Sequence, residues 1–436
     1  MAEQWFYLVD VAKLGPVDRE GLIERARDGR VQKSTLVWRE GMKDWVAAET
    51  LEFLYPPDAA PPALPPKPAP QPAAEPPTVA TPVLRDRRGH GRPRSQRDLA
   101  GMLGAKLSHV AGLPTISNIN VKEILMGGLT KKTGEDDIEE IFVVGTLSTT
   151  PAITDVQEGW PSPRVFWRIL AGSIGAYALM GIGLSSFQDA NFVPGLIVIG
   201  SFIVPLSCVI LFFELNTPRN VSIYQVLKLV VVGGAMSILL TLFFFRFLPG
   251  SGTGELVPTF LTAVGEETAK MLTLLLVVSS LRYPWQLNGM LFGSAVGAGF
   301  AGFESAGYAY RSGTELFTSI FLRAILAPGG HVIWTAMVGA AIWRVKGNKE
   351  FKARMLLHPI VLRRLGIAVV LHWLWNSTTP SVPWFVQMPV LSIIGWYLIF
   401  AMLKQAYGGV GDVKAAAAAA LASLRGGGVR TERPVP

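Results

Sequence analysis

The chain has 436 residues, 50% of them hydrophobic and only 17% charged, with a formal net charge of +8. A soluble protein of this size carries about a quarter charged residues, so the composition excludes an ordinary soluble enzyme. The single cysteine, Cys208, excludes an intrachain disulfide and the usual zinc thiolate clusters.

The elements are expected in this order. Residues 1–55 are polar and aromatic, with no pattern of a cleavable signal peptide, and read as a small soluble α+β domain. Residues 4–9 read as a strand, Gly15-Pro16-Val17 as a turn, Asp18 to Gly29 as a helix with Asp18 as its cap, and Thr35 to Trp38 as a second strand. Residues 56–99 form a linker whose Pro-rich body, 56–83, suits an extended polyproline conformation. Its end carries Arg85, Arg87, Arg88, Arg92, Arg94 and Arg97, a basic tract suited to the anionic surface of a lipid bilayer. Residues 100–160 form a mixed juxtamembrane stretch with an acidic patch at 135–140 and no assigned role.

Residues 161–405 hold eight apolar runs of spanning length, roughly 166–186, 193–214, 224–248, 256–280, 287–309, 316–343, 360–378 and 384–403. The sixth is interrupted by Pro328-Gly329-Gly330, and a broken helix at membrane depth must line a cavity or be buried in protein. The fold class is therefore an all-α polytopic membrane bundle behind the soluble domain. Arg and Lys are dense between the sixth and seventh runs and absent after the first and the seventh. That bias puts both termini in the cytoplasm. The same clustering favours membrane topology over nucleic-acid binding, so no nucleic acid is expected as a partner. The tail, 406–436, contains an Ala-rich helix closed by Gly426 to Gly428 and receives no function.

Ionisable groups inside an apolar run are costly, so each marks a candidate site. The fourth run carries Glu266, Glu267 and Lys270, with Glu266 and Lys270 one turn apart. The fifth carries Glu304, the sixth His331 just after its break, and the seventh His372 and Asn376, which share a face. Rise per residue places Glu266, His331 and His372 near one depth, with Glu304 nearer the outer surface. A structural polar network explains one or two such residues. It does not explain this set across four consecutive helices.

Two resemblances follow from these residues. The N-terminal segment, ending in the run from Leu36 to Trp45, resembles the bacterial GYF-like domain family. That resemblance implies a protein-interaction module, with a Pro-rich peptide or protein as its partner. Trp5, Tyr7, Trp38 and Trp45 are its candidate peptide-binding residues, against a plain role in the core of a small domain. The Pro-rich linker itself suits such an aromatic groove.

The membrane region carries EETAK at 266–270, FAGFE at 300–304, His331 in an isolated position, and HWLWN at 372–376. In order and spacing these resemble the PrsW family of bacterial membrane proteases, distantly similar to the CAAX-prenyl endoproteases. Glu304 stands where the latter have His, and Lys270 stands one position short of their Arg. The resemblance implies a multi-pass protein of the bacterial cytoplasmic membrane that cuts a single-pass membrane-protein substrate. It assigns Glu266, Glu267, Glu304, His331, His372 and Asn376 to the catalytic site, with Lys270 in support. Glu266 would be the base on a water, His331 would position that water, and His372 and Asn376 would donate to the oxyanion.

No cofactor is assigned. A zinc version would use Glu304, His331 and His372 as ligands, with Glu266 as base. Two other classes share the pattern: a secondary transporter with midplane charges and a broken helix, and a catalytically silent receptor signalling through the GYF-like domain.

Overall fold

The computed structural model describes residues 4–9, 12–27, 31, 35–42, 45–55, 94–116, 124, 127, 134–156, 160–248, 256–377 and 382–426. The Pro-rich linker, 56–83, and the arginines from 85 to 92 lie outside the described residues. The chain divides into two units, residues 1–90 and 91–436.

In the first unit, β1 (Trp5–Val9), β2 (Ala12–Val17), β3 (Leu36–Arg39) and β4 (Val46–Ala47) form an antiparallel sheet in the order β2-β1-β3-β4. Helix α1 (Arg19–Arg27) starts where expected, because the Asp18 carboxylate accepts the Gly21 N–H at 2.8 Å. The expected turn at Gly15-Pro16-Val17 is instead the end of β2. It pairs with Trp5 across an irregular register, which is where a strand tolerates proline.

Trp5 and Tyr7 alternate inward on β1 and are buried with Leu22, Val31, Val37 and Ala48. They are core residues and are not available as a peptide surface. Phe6, Trp38 and Trp45 are half-buried and form a row of rings 6.0 and 6.2 Å apart. Trp5→Ala is expected to cost about 3–5 kcal/mol and to expose this unit to limited proteolysis in the full chain. Trp38→Ala should leave the protease-resistant fragment intact.

The second unit is helical. A first helix, α2 (Arg94–Ala111), and the short α3 (Glu135–Phe142) precede the apolar ones. These are α4 (Phe166–Phe187), α5 (Phe192–Leu215), α6 (Ile223–Phe245), α7 (Leu256–Thr273), α8 (Gln286–Arg311), α9 (Leu316–Leu326), α10 (His331–Lys346), α11 (Pro359–Asn376) and α12 (Trp384–Gly426). Among the described residues, five segments are long and apolar enough to cross a membrane: α4, α5, α6, the α9–α10 stretch Ser319–Lys346, and α12. The eight expected spans are therefore met in five cases. Helix α7, with Glu266, Glu267 and Lys270, is too polar for that test, and α8 and α11 also fall outside it.

Backbone geometry then decides what meets. Gly289, Gly293 and Gly297 repeat every fourth residue of α8 and form a bare stripe. A β-carbon at these positions would strike the carbonyl oxygens of Gly339, Thr335 and His331 on α10. The two helices therefore approach backbone to backbone, as small-residue stripes allow. On another face of α8, Gly299 meets Val230 and Gly234, beside a π-helical turn at Leu229–Gly233 in α6. The expected break is present: α9 ends in a 3₁₀ turn, Ala327–Gly329, and α10 restarts at His331.

Candidate active site

Four helices deliver the polar residues. Glu266, Glu267 and Lys270 come from α7, Glu304 from α8, His331 from the first position of α10, and His372 and Asn376 from the last turns of α11. The structure brings all seven into one cluster, six of them hydrogen-bonded and Glu266 held by ion pairs at 3.7 and 3.8 Å. Glu266, Glu267, Lys270 and His372 are buried, and His331 and Glu304 are nearly so.

The ammonium of Lys270 sets the pattern. It donates to Glu267 Oε1 at 2.6 Å and to His331 Nδ1 at 2.7 Å, lies 3.8 Å from Glu266 Oε2, and sits over the Phe300 ring. An ammonium has no lone pair, so His331 Nδ1 is the acceptor. The His331 proton is then on Nε2, which donates to Glu304 Oε2 at 3.2 Å. Across the cluster, His372 Nδ1 donates to Glu267 Oε1 at 2.9 Å, and its Nε2 accepts from Asn376 Nδ2 at 2.9 Å. One carboxylate, Glu267, thus orients both the lysine and the second imidazole, an arrangement that fixes a ring's tautomer. Trp334 stacks on His372 with ring centroids 4.8 Å apart, and His331 meets His372 edge-on at 4.9 Å.

Glu266 and Glu267 each leave Oε2 buried without a hydrogen bond, and they differ in whether they line the cavity. Glu267 does not face the cavity. Glu266 does, and its Oε2 is buried with no hydrogen-bond partner. The cavity, about 550 Å³, is also lined by Glu304, His331 and Asn376, with Trp375 and Trp384 among its apolar walls. It is large enough for several residues of an extended peptide.

Three points depart from expectation. Glu304, expected at a different depth from the other three, lies within hydrogen-bond distance of His331, where the break before α10 and the glycine contact of α8 with α10 hold the two helices together. The expected zinc set of Glu304, His331 and His372 is not the compact one. Among the described residues, the donor atoms that lie within 4.8 Å of one another belong to Glu266, His331 and His372. Glu304 is instead bound by Arg323 of α9. Third, His372 spends its proton on Glu267, so Asn376 is left as the amide donor facing the cavity.

Arg323 is the residue the sequence reading overlooked. Its guanidinium ion-pairs with Glu304, donates from Nε to Ser305 Oγ at 2.9 Å and lies 4.3 Å over the Tyr308 ring. An arginine within an apolar run is the same signal that revealed the others.

Whether the donor set fits a metal ion can be read from the same contacts. Glu266 offers an orphaned carboxylate oxygen, and His372 Nε2 carries a lone pair behind which Glu267 fixes the ring. Two imidazoles and a carboxylate are the donor types of hydrolytic zinc sites. The residues fit.

Comparison with known proteins agrees with the motifs. Residues 218–403 match the model of the PrsW family of intramembrane metalloproteases, and residues 5–54 match GYF domain 2. Protease PrsW of Halalkalibacterium halodurans is 26% identical over 116 residues, which is 26% of this chain and 50% of that protein. The chain thus aligns with about half the length of this curated relative. No solved structure matches.

Proposed function

We propose that the second unit is an intramembrane endopeptidase that hydrolyses a peptide bond of a membrane-protein substrate with a water activated by Glu266. The observation that carries this reading is the buried carboxylate oxygen of Glu266 that accepts no hydrogen bond, in a cavity wall shared with His331 and Asn376. A peptide carbonyl in that cavity would have Glu266 on one side and the Asn376 amide on another. Glu266 takes the proton of the attacking water. Asn376 donates to the carbonyl oxygen as it gains charge. His331 holds the water from the Glu304 side, and the proton that Glu266 took passes to the leaving amine as the C–N bond breaks. Glu267 and Lys270 hold the two imidazoles in place, and Arg323 holds Glu304.

Glu266, His331 and His372 are the residues that would hold a zinc ion, and the match to a family of metalloproteases supports that version. A bound zinc would act as a Lewis acid on the carbonyl and the water. In that version the second oxygen of Glu266 remains for the proton.

The expected topology is eight spans, with α7, α8 and α11 added to the five. Their ionisable groups face one another, which lowers the cost of placing them at bilayer depth. The basic stretch from Arg344 to Arg364 favours a cytoplasmic position for that side and for both termini, in a bacterial cytoplasmic membrane. The substrate is a single-pass membrane protein. The first unit presents the row of Phe6, Trp38 and Trp45 to a Pro-rich partner.

The test is cleavage of single-span candidate substrates by the purified protein in proteoliposomes. Release of a cut peptide supports the peptidase; ion flux driven by an uncut substrate supports a transporter instead. A zinc chelator is expected to stop cleavage and added zinc to restore it. Full activity in the chelator would assign the reaction to the metal-free version.

A further inference from the structure

At the end of α11 remote from Asn376 lies a cluster that hydrolysis does not use. Arg364 is 3% exposed. One of its nitrogens donates to the carbonyl of Ala111, the last residue of α2, while its Nε is buried without a hydrogen-bond partner. Arg363 lies against Gly112, its Nη1 filling the space where a β-carbon would stand. The charges of Arg363 and of Arg344, from the end of α10, both bear on Arg364. Arg344 donates to the Gln405 side chain on α12.

Among the described residues no carboxylate forms an ion pair with any of the three; the acids of this unit that pair with cations do so in the cavity cluster. A carbonyl and an amide satisfy single N–H groups but bring no full negative charge. Three neighbouring guanidinium groups, one of them desolvated, repel one another unless an anion joins them. Topology alone explains basic residues at this end of a span. It does not explain a buried arginine with a free donor and, among the described residues, no carboxylate paired with it.

A second observation is apolar. Met102, Leu103 and Val110 of α2 are 58, 53 and 68% exposed. Leu103 and Val110 are seven apart and share a face. The helix is held to α12 by Ser108 Oγ and Tyr397 OH at 2.9 Å and by Tyr397 OH donating to the Gly104 carbonyl at 2.7 Å. Val110 thus stands one residue from the carbonyl that Arg364 grips. An anion attached to an apolar chain matches both features.

We infer that Arg344, Arg363 and Arg364 hold the headgroup phosphate of an anionic phospholipid whose acyl chain runs along Leu103 and Val110 of α2. Guanidinium forks suit a phosphate's oxygens, and basic pockets between helices at this membrane face suit anionic headgroups. The site is independent of the hydrolytic reading. It lies at the foot of the helix that carries His372 and Asn376.

The test is lipid retention by the full chain, released from membranes of mixed phosphatidylglycerol and phosphatidylcholine and read by native mass spectrometry. The wild type is expected to keep phosphatidylglycerol over phosphatidylcholine by about tenfold, and Arg344→Gln/Arg363→Gln to fall to about parity. Both substituted residues are exposed, so the fold should survive. Lys349→Gln/Lys352→Gln, in the following loop, should retain the preference. Equal retention by wild type and the arginine variant overturns the proposal. So does displacement of the lipid by millimolar inorganic phosphate, which would make the cluster a site for a soluble anion.

Discussion

Glu266→Gln is expected to lower peptide cleavage by roughly 10²–10⁴-fold, the usual contribution of a positioned general base, with the protein still inserted in the membrane. The glutamine keeps the shape and volume of the side chain. It removes the charge of a carboxylate in the cavity wall whose Oε2 accepts no hydrogen bond. Glu267 cannot substitute, because its Oε1 is held by Lys270 and His372 and the residue does not line the cavity. Insertion should be checked by alkaline extraction of membranes and folding by a thermal scan. A variant that cleaves within a few-fold of wild type would remove Glu266 from the machinery.

The second large effect is expected from a residue that carries no side chain. Gly297→Ala adds one methyl group, and that methyl would meet the carbonyl of His331. Backbone cannot rotate away as a side chain can, so α10 must shift relative to α8. His331 is the first residue of α10, and its contacts to Lys270 and Glu304 are 2.7 and 3.2 Å long. A displacement of about 1 Å in a reacting constellation can cost about 10²-fold in rate. Gly307→Ala is the control on the same helix, because a β-carbon there meets nothing within 4 Å. It should leave cleavage unchanged and slightly favour the helix. If the two variants behave alike, the close approach of α8 and α10 does not position His331.

The cluster was legible in the sequence because an ionisable residue in an apolar run is costly wherever it lies, and that cost is visible without coordinates. Glu266, Glu267, Glu304, His331, His372 and Asn376 were all found this way. Arg323 obeys the same rule and was passed over beside the stronger motif around His331. Pairing was less legible. Lys270 can reach back three or four residues, and only the structure shows that Glu267 takes the short contact and Glu266 the long one. That choice separates a supporting carboxylate from a free one.

The stripe of Gly289, Gly293 and Gly297 was readable as a period of four, but its partner helix was not. In the first unit the strand ending at Val17 was hidden by Gly15-Pro16, a pair that ordinarily marks a turn. The aromatic residues alternated as a strand should, yet alternation alone does not say which face is the core. Burial resolves Trp5 from Phe6.

Helix α12 runs unbroken for 43 residues, which is about 64 Å at the usual rise and about twice the hydrocarbon thickness of a bilayer. Its first turns, at Trp384, Gln387 and Met388, border the cavity, and Gln387 is tied to the carbonyls of Leu374 and Ser377 beside Asn376. Farther along, Tyr407 OH is bonded to the Leu215 carbonyl and Lys414 to the Val156 carbonyl. The two ends of one stiff rod are therefore anchored to different parts of the unit. A force that tilts the part anchored at Leu215 and Val156 must move the cavity mouth with it, or bend the rod at Pro389, where the ladder of backbone bonds lacks a rung.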